Sequence, residues 1–212
     1  MPDLATNFPT SPEIQSVTFK VNTPSQISES FSGKIRRVGF GISYYSFSIK
    51  YGNLTPLQAG SITGYLSQAL GQQFSFNIVL PKISFTKITA ASAGGAQTTN
   101  TVNTSGTAAR GSTSVTLTNC GANKNVLAAG DFFKFNNHSK VYMCVSPCTA
   151  NSSGVATLFF SCPTVTSVPS STIVTITNVP FQAILAEPEQ LFDTGFGGIT
   201  TLTIEMREVW GN

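Results

Sequence analysis

The segment Leu202-Thr203-Ile204-Glu205-Met206-Arg207 alternates apolar and polar side chains close to the end of the 212-residue chain. Successive side chains of a β-strand point to opposite faces, so this pattern predicts a strand whose apolar side chains face a core. Alternating stretches between residues 16 and 51 offer strands with which it can pair. The sequence therefore predicts that residues 1–88 and 180–212 form one β-rich body.

One helix is predicted inside this body, near residues 55–70. Thr55 offers an N-cap hydroxyl, Pro56 occupies the first helical position, and Gln58 closes a capping box. Gly71 supplies a left-handed stop. The residues after the cap predict a broad apolar face, made of Leu57, Ile62, Tyr65, Leu66, Ala69 and Leu70.

The composition changes between residues 89 and 112, where Ala, Gly, Thr, Ser and Asn dominate and Arg110 is the single charged residue. This composition is typical of a flexible linker. Beyond it, short strand patterns recur between turn residues and predict that residues 113–179 form an inserted small β-barrel module, OB-like or a sandwich. The predicted strands are 114–117, 132–135, 141–145, 156–160 and 173–177. The expected fold class is mainly β with one α-helix.

Charged residues make up 10% of the chain, against about 25% in average soluble domains. Depletion of charge is typical of surfaces that become buried between subunits, and an ordinary Thr-rich β protein has the same composition. The net charge is +3 with scattered basic residues, so nucleic-acid recognition is not expected. Residues 1–7 lack the features of a signal peptide, and no apolar stretch approaches about 18 residues. We therefore expect synthesis and assembly in the cytoplasm, without membrane insertion.

The four cysteines, Cys120, Cys144, Cys148 and Cys162, are separated by 23, 3 and 13 residues. These spacings match no zinc-finger or zinc-ribbon pattern, and the one histidine, His138, is not placed to complete a set of four ligands. The sequence favours free thiols and predicts neither a metal nor a cofactor.

Any hydrolase scheme with a histidine base has to use His138, which lies in a polar turn and is expected to be solvated. A glycosidase would need two convergent carboxylates. Glu205 and Glu208 fall on opposite faces of a strand, and Glu187 and Glu189 lie in a loop-like segment. The remaining acidic pair is Asp131 and Asp193, and the glycines of Gly195-Phe196-Gly197-Gly198 lack the lysine of a phosphate-binding loop. We predict no catalytic residues and no enzyme activity.

The pairs Phe132-Phe133 and Phe159-Phe160 each place one ring on either face of a strand. The expected arrangement is one ring in the core and one at an edge or interface. A saccharide-binding groove lined by aromatic rings on the inserted module is the alternative.

Two groups of segments share the layout of a known family. The first comprises Leu54-Thr55-Pro56-Leu57, Ala69-Leu70-Gly71 and Phe74-Ser75-Phe76 with a stop at Pro81. The second comprises Gly111-Ser112-Thr113-Ser114-Val115, Leu127-Ala128-Ala129-Gly130-Asp131-Phe132-Phe133-Lys134-Phe135, Lys140-Val141-Tyr142-Met143, Gly154-Val155-Ala156-Thr157-Leu158 and Glu208-Val209-Trp210. Together they resemble the bacteriophage distal tail proteins, which occupy the junction between tail tube and tail tip or baseplate.

This resemblance implies a structural protein of the virion that assembles into a ring, commonly a hexamer, with a small β-barrel facing outward. Its expected partners are other copies of itself, the tail tube protein, tail hub or tip proteins, and tail fibres. The resemblance fixes no site residues. Two alternatives within the tail are a receptor- or saccharide-binding subunit and a baseplate wedge subunit.

Overall fold

The structure is a computed structural model that describes residues 4, 8–9, 11–39, 41–88, 95–97, 99–188, 192–194 and 200–211. These ranges contain sixteen strands and one helix, which confirms the predicted mainly β fold with one helix. Two separate apolar clusters form the core. We call residues 4–88 and 180–211 the body and residues 99–179 the module.

The body contributes eight strands and the helix. In chain order they are β1 (Ser16–Asn22), β2 (Ser25–Glu29), β3 (Ile35–Gly39), β4 (Tyr44–Leu54), α1 (Pro56–Gln68) and β5 (Phe76–Val79) before the module, and β14 (Pro180–Leu185), β15 (Phe192–Thr194) and β16 (Thr200–Glu208) after it.

An antiparallel sheet in the order β1-β4-β16-β14-β5 forms the centre of the body, and β15 also pairs with β16. The last strand lies between β4 and β14, and Ile204 is paired with Ile49. Its burial alternates along its whole length, so Leu202 and Met206 face the core while Glu205 is exposed. The predicted pairing of the C-terminal strand with the N-terminal sheet is therefore confirmed.

The helix begins as the sequence predicts, because both hydrogen bonds of the capping box are formed. The Gln58 backbone N–H donates to Thr55 Oγ1 over 3.4 Å, and the Thr55 N–H donates to Gln58 Oε1 over 3.0 Å. The last helical residue is Gln68, and Leu70 and Gly71 both have positive φ. Leu57 and Leu70, predicted on the apolar face, are exposed because they lie at or beyond the helix ends.

The module contains eight short strands. They are β6 (Asn103–Thr104), β7 (Ser114–Thr118), β8 (Asn125–Leu127), β9 (Phe132–Phe135), β10 (Val141–Met143), β11 (Cys148–Thr149), β12 (Ala156–Phe159) and β13 (Val174–Thr175). They pair as three small sheets around one apolar core, and none of these sheets closes on itself within the described residues. The sequence left two forms open for this module, a small barrel and a sandwich, and the structure shows no closed barrel among its described sheets.

The described part of the predicted linker is not flexible chain but part of the module. Val102 is fully buried, Ala108 is almost so, and β6 pairs with β7. Ala108 and Val168 exchange backbone hydrogen bonds of 2.9 and 2.8 Å. The small side chains that suggested a flexible linker allow close packing here, so the prediction is wrong for residues 99–112. Residues 89–94 and 98 of the predicted linker lie outside the described residues. Across the described ranges, no helix has the length and apolar composition needed to cross a membrane.

Candidate functional site

A two-stranded hairpin, β2 and β3, stands apart from both apolar clusters. Its strands pair with each other, every residue from 23 to 39 is exposed, and neither strand belongs to the main sheet. The turn is closed by the Ser30 carbonyl, which accepts from the Gly33 N–H, and Gly33 has φ +74°. We call residues 23–39 the arm.

The arm exposes apolar and basic side chains together. Phe31 at the turn is fully exposed, and Ile27, Ile35 and Val38 are each more than half exposed. Three cations, Lys34, Arg36 and Arg37, accompany a single carboxylate, Glu29. An isolated hairpin is at best marginally stable in water, and exposed apolar clusters of this kind mark contact surfaces. The arm is therefore the strongest candidate for a surface that another molecule covers.

The two edges of the main sheet differ. At the β5 edge, N-terminal backbone groups cover the strand, since the Leu4 N–H donates to the Ser75 carbonyl over 2.8 Å and the Phe8 N–H donates to the Asn77 carbonyl over 3.0 Å. At the opposite edge, β1 has no further strand beside it within the described residues. Such an edge presents backbone donors and acceptors to a partner strand.

A buried ion pair joins the module to the last strand of the body. The Lys140 ammonium donates to Glu208 Oε2 over 2.7 Å and to the Val141 carbonyl over 2.8 Å, and both side chains are fully buried. The carboxylate also accepts the backbone N–H groups of Val141 and Tyr45. Lys140 Nζ lies 4.5 Å from the Tyr45 ring centroid and 4.7 Å from that of Trp210. The pair thus fixes the relative position of β10, β4 and the C-terminal segment.

Burial shifts the pKa values of both Lys140 and Glu208. Loss of hydration raises the pKa of Glu208 and lowers the pKa of Lys140, while their mutual attraction opposes both changes. The dense set of donors around the carboxylate favours its charged form. Removing one partner would leave the other charge buried without compensation.

Asp131 forms a second connection between body and module. Its carboxylate accepts from Thr86 Oγ1 over 2.7 Å, from the Lys87 N–H over 3.0 Å and from the Ala128 N–H over 2.8 Å. These contacts occupy both oxygens of the buried Asp131 carboxylate. Asp131 therefore holds in place the segment that connects the body to the module.

An open cleft of about 680 Å3 lies between body and module. Ile42, Trp210, Arg110 and His138 line it together with Pro163 and Thr166. Its volume lies in the range of small-molecule sites. The cleft is a second candidate site, and it holds the one histidine of the chain.

His138 is half-buried rather than solvated, which corrects the prediction. Its Nε2 lies 2.8 Å from the Tyr142 hydroxyl, and its Nδ1 lies 2.8 Å from Asn137 Oδ1. Because Asn137 Oδ1 can only accept, Nδ1 donates to it, and in the neutral ring Nε2 accepts from the Tyr142 hydroxyl. Burial, helped by Lys134 and Lys140, lowers the pKa of His138 to about 4. Neither ring nitrogen contacts a serine or cysteine among the described residues, so the arrangement is not that of a nucleophile and its base.

The stability of the protein is expected to fall as the pH decreases below about 6.5, the ordinary pKa of histidine. In this range the unfolded chain binds a proton at His138, whereas the folded chain binds it only near its pKa of about 4. Urea denaturation at pH 7 and pH 5 measures the difference, and His138→Gln is expected to reduce it. An equal loss of stability in both proteins would contradict this role of His138.

All four cysteines are free and buried. Burial raises the pKa of Cys120 and Cys144 to about 11 and that of Cys148 to about 12, which disfavours the reactive thiolate. Within the described ranges, no group of three or more His, Cys, Asp or Glu side chains is arranged to hold a metal ion.

Of the acidic pairs considered in the sequence, Glu205 and Glu208 do not converge. Glu205 is exposed and Glu208 is buried on the opposite face of β16, as their spacing indicates. Glu187 is exposed. Glu189, the Asp193 side chain and residues 195–198 lie outside the described residues.

The predicted division of the aromatic pairs is confirmed. Phe160 is buried in the module core and Phe159 is about half exposed. Phe133 also belongs to the module core, whereas Phe132 joins the apolar cluster of the body. The buried rings Phe133 and Phe160 are therefore not available for stacking on a saccharide, which leaves the half-exposed Phe159 and the cleft that Trp210 lines as places for such a ligand.

Sequence reasoning missed the pairing of Lys140 with Glu208. One signal was present, because Glu208 continues the inward phase set by Leu202, Ile204 and Met206. No local pattern identifies Lys140, which is 68 positions away, as its partner. No protein-family model matches the chain, and no curated protein matches its sequence.

Proposed function

We propose that this protein is a non-enzymatic structural subunit of a bacteriophage tail, forming a ring, commonly of six copies, that joins the tail tube to the tail tip or baseplate. Its partners would be further copies of itself, the tube protein and hub, tip or fibre proteins. It would be made in the host cytoplasm and reside in the virion tail. The observation that carries the proposal is the arm.

The arm supports assembly because its exposed side chains have no partner element among the described residues. Phe31 and Ile27 would remain in water in a permanent monomer, which is unfavourable by roughly 25 cal/mol for each Å2 of apolar surface. The open β1 edge offers backbone hydrogen bonds in addition. A low content of charged residues suits surfaces that are buried between subunits. Together these features favour a protein whose working state is an oligomer.

Co-sedimentation with assembled tubes tests the proposed location. The purified protein is expected to pellet with tubes of the tail tube protein at about one ring for each tube end, so that the bound amount follows the number of ends rather than tube length. Binding along the whole tube surface, or no binding, would contradict a junction protein. A chain that lacks residues 25–38 serves as the control, because the main sheet does not include them.

The cleft favours one alternative, a receptor-binding subunit of the tail. Trp210 offers an aromatic face, and Arg110 and Thr166 offer polar groups beside it. Binding on a glycan array that is lost in Arg110→Ala would support this function. Absence of binding to every glycan would count against it.

A further inference from the structure

We propose that the cleft between body and module binds an acidic saccharide, a sugar chain whose residues carry carboxylates. The inference rests on the receptor-binding alternative of the proposed function and names the chemical class of its ligand. It does not depend on whether the protein forms a ring.

Three separate parts of the chain enclose the cleft. They are Gly41 and Ile42 just after the arm, residues 110–111 and 163–166 of the module with His138, and Trp210 and Gly211 at the end of the described chain. A cleft of about 680 Å3 admits a short segment of an oligosaccharide.

Hydrogen bonds hold the module wall of the cleft in place. The Gly111 N–H donates to the Thr164 carbonyl over 2.9 Å, and the Val165 N–H donates to the Tyr142 hydroxyl over 3.2 Å. The same hydroxyl lies 2.8 Å from His138 Nε2. The wall is therefore formed before a ligand arrives, and little loss of conformational freedom opposes binding.

The polar groups that remain for a ligand are mainly donors. Arg110 is exposed, and its guanidinium forms no ion pair or hydrogen bond with a described residue. Both ring nitrogens of His138 are already used within the chain. The planar fork of a guanidinium matches the two oxygens of a carboxylate. Arg110 therefore favours a ligand that carries carboxylates.

The charges around the cleft also favour an anion. None of the described residues that line it is acidic. The Glu208 carboxylate, two residues before Trp210, is paired with Lys140. Burial lowers the pKa of His138 and the charge of Lys134 lowers it further, so positive potential reaches this wall.

Apolar surface beside these donors favours a sugar ring over a small inorganic anion. Ile42 is 49% exposed, and Trp210 lines the same cleft with Lys140 Nζ 4.7 Å from its ring centroid. The C–H face of a sugar ring packs on such surface, and its hydroxyl groups can bond to Thr166. Sulfate or phosphate would leave this surface in water.

Quenching of the Trp210 fluorescence measures binding directly, because Trp210 is the single tryptophan and lines the cleft. The probes are oligosaccharides of galacturonic, glucuronic and neuraminic acid, each beside its methyl ester, which keeps the ring and removes the charge. At least one acid is expected to bind more than about tenfold more tightly than its ester. Added salt is expected to weaken that binding, since it screens exposed charges.

Two variants of the full-length protein assign the binding to the cleft. Arg110→Gln is expected to weaken binding of the acid by more than about tenfold and to leave binding of the ester unchanged. Thr166→Val keeps the side-chain shape, removes the hydroxyl and is expected to weaken both probes by about threefold. Arg36→Gln, the same substitution on the exposed arm outside the cleft, is expected to have no effect. The unfolding midpoint confirms that each variant is folded.

Equal affinity for every acid and its ester, or equal binding by Arg110→Gln and the unchanged protein, would overturn the proposal. Sulfate or a peptide of four glutamates that competes as well as the sugar acid would overturn the saccharide assignment. A ring-forming protein that binds none of the probes would contradict the site and leave the ring function standing. Binding by a protein that stays monomeric would support the site and contradict the ring function alone.

Discussion

Replacing Glu208 by glutamine is expected to lower the free energy of unfolding by about 3–5 kcal/mol. The change leaves the Lys140 ammonium fully buried with only neutral acceptors, the Val141 carbonyl and the amide oxygen of the new side chain, and the faces of three aromatic rings. The size of the effect reflects an uncompensated charge in a site from which water is excluded. Equilibrium denaturation by urea measures it.

Two further variants show whether the ion pair is the cause. Glu205→Gln changes an exposed glutamate on the same strand and is expected to alter the free energy of unfolding by no more than about 0.5 kcal/mol. Lys140→Met combined with Glu208→Gln removes both charges and is expected to recover more than half of the loss. If Glu208→Gln proves no more harmful than Glu205→Gln, the pair does not hold the module to the body.

Replacing Phe181 by alanine is expected to lower the free energy of unfolding by about 3–5 kcal/mol. Phe181 is fully buried in β14, and its ring centroid lies 5.8 Å from those of Phe19 and Phe47 and 5.6 Å from that of Phe132. Because Phe132 belongs to β9 of the module, the resulting cavity weakens the sheet and its attachment to the module together.

The control for this prediction is Phe159→Ala, which removes a half-exposed ring from the module. It is expected to cost less than about 1 kcal/mol, since little buried surface is lost. The fluorescence of Trp210, the single tryptophan, follows unfolding at the junction, because its ring lies against Lys140. Equal midpoints for the two variants would contradict the placement of Phe181 at the centre of the core.

The features that sequence predicted well are those set by short-range chemistry. The capping box of Thr55 and Gln58 depends on residues three positions apart, and the burial of β16 follows the period of a strand. Phe159 and Phe160 divided between surface and core for the same reason.

The features that sequence did not predict depend on distant parts of the chain. Val102 and Ala108 sit in a segment of small polar residues, and their burial requires the partner strand of residues 114–118 and the contact with Val168. The sequence did not predict the exposure of Phe31 either, because an alternating hairpin pattern does not determine whether its apolar side chains pack against a core. Likewise, short strands predicted a small β module but did not determine whether its sheets close.

Negative-stain electron microscopy of the purified protein, alone and with the tail tube protein, tests the central proposal most directly. The proposal predicts closed rings of about six subunits with rotational symmetry. Single subunits at every concentration and with the tube protein present would contradict it.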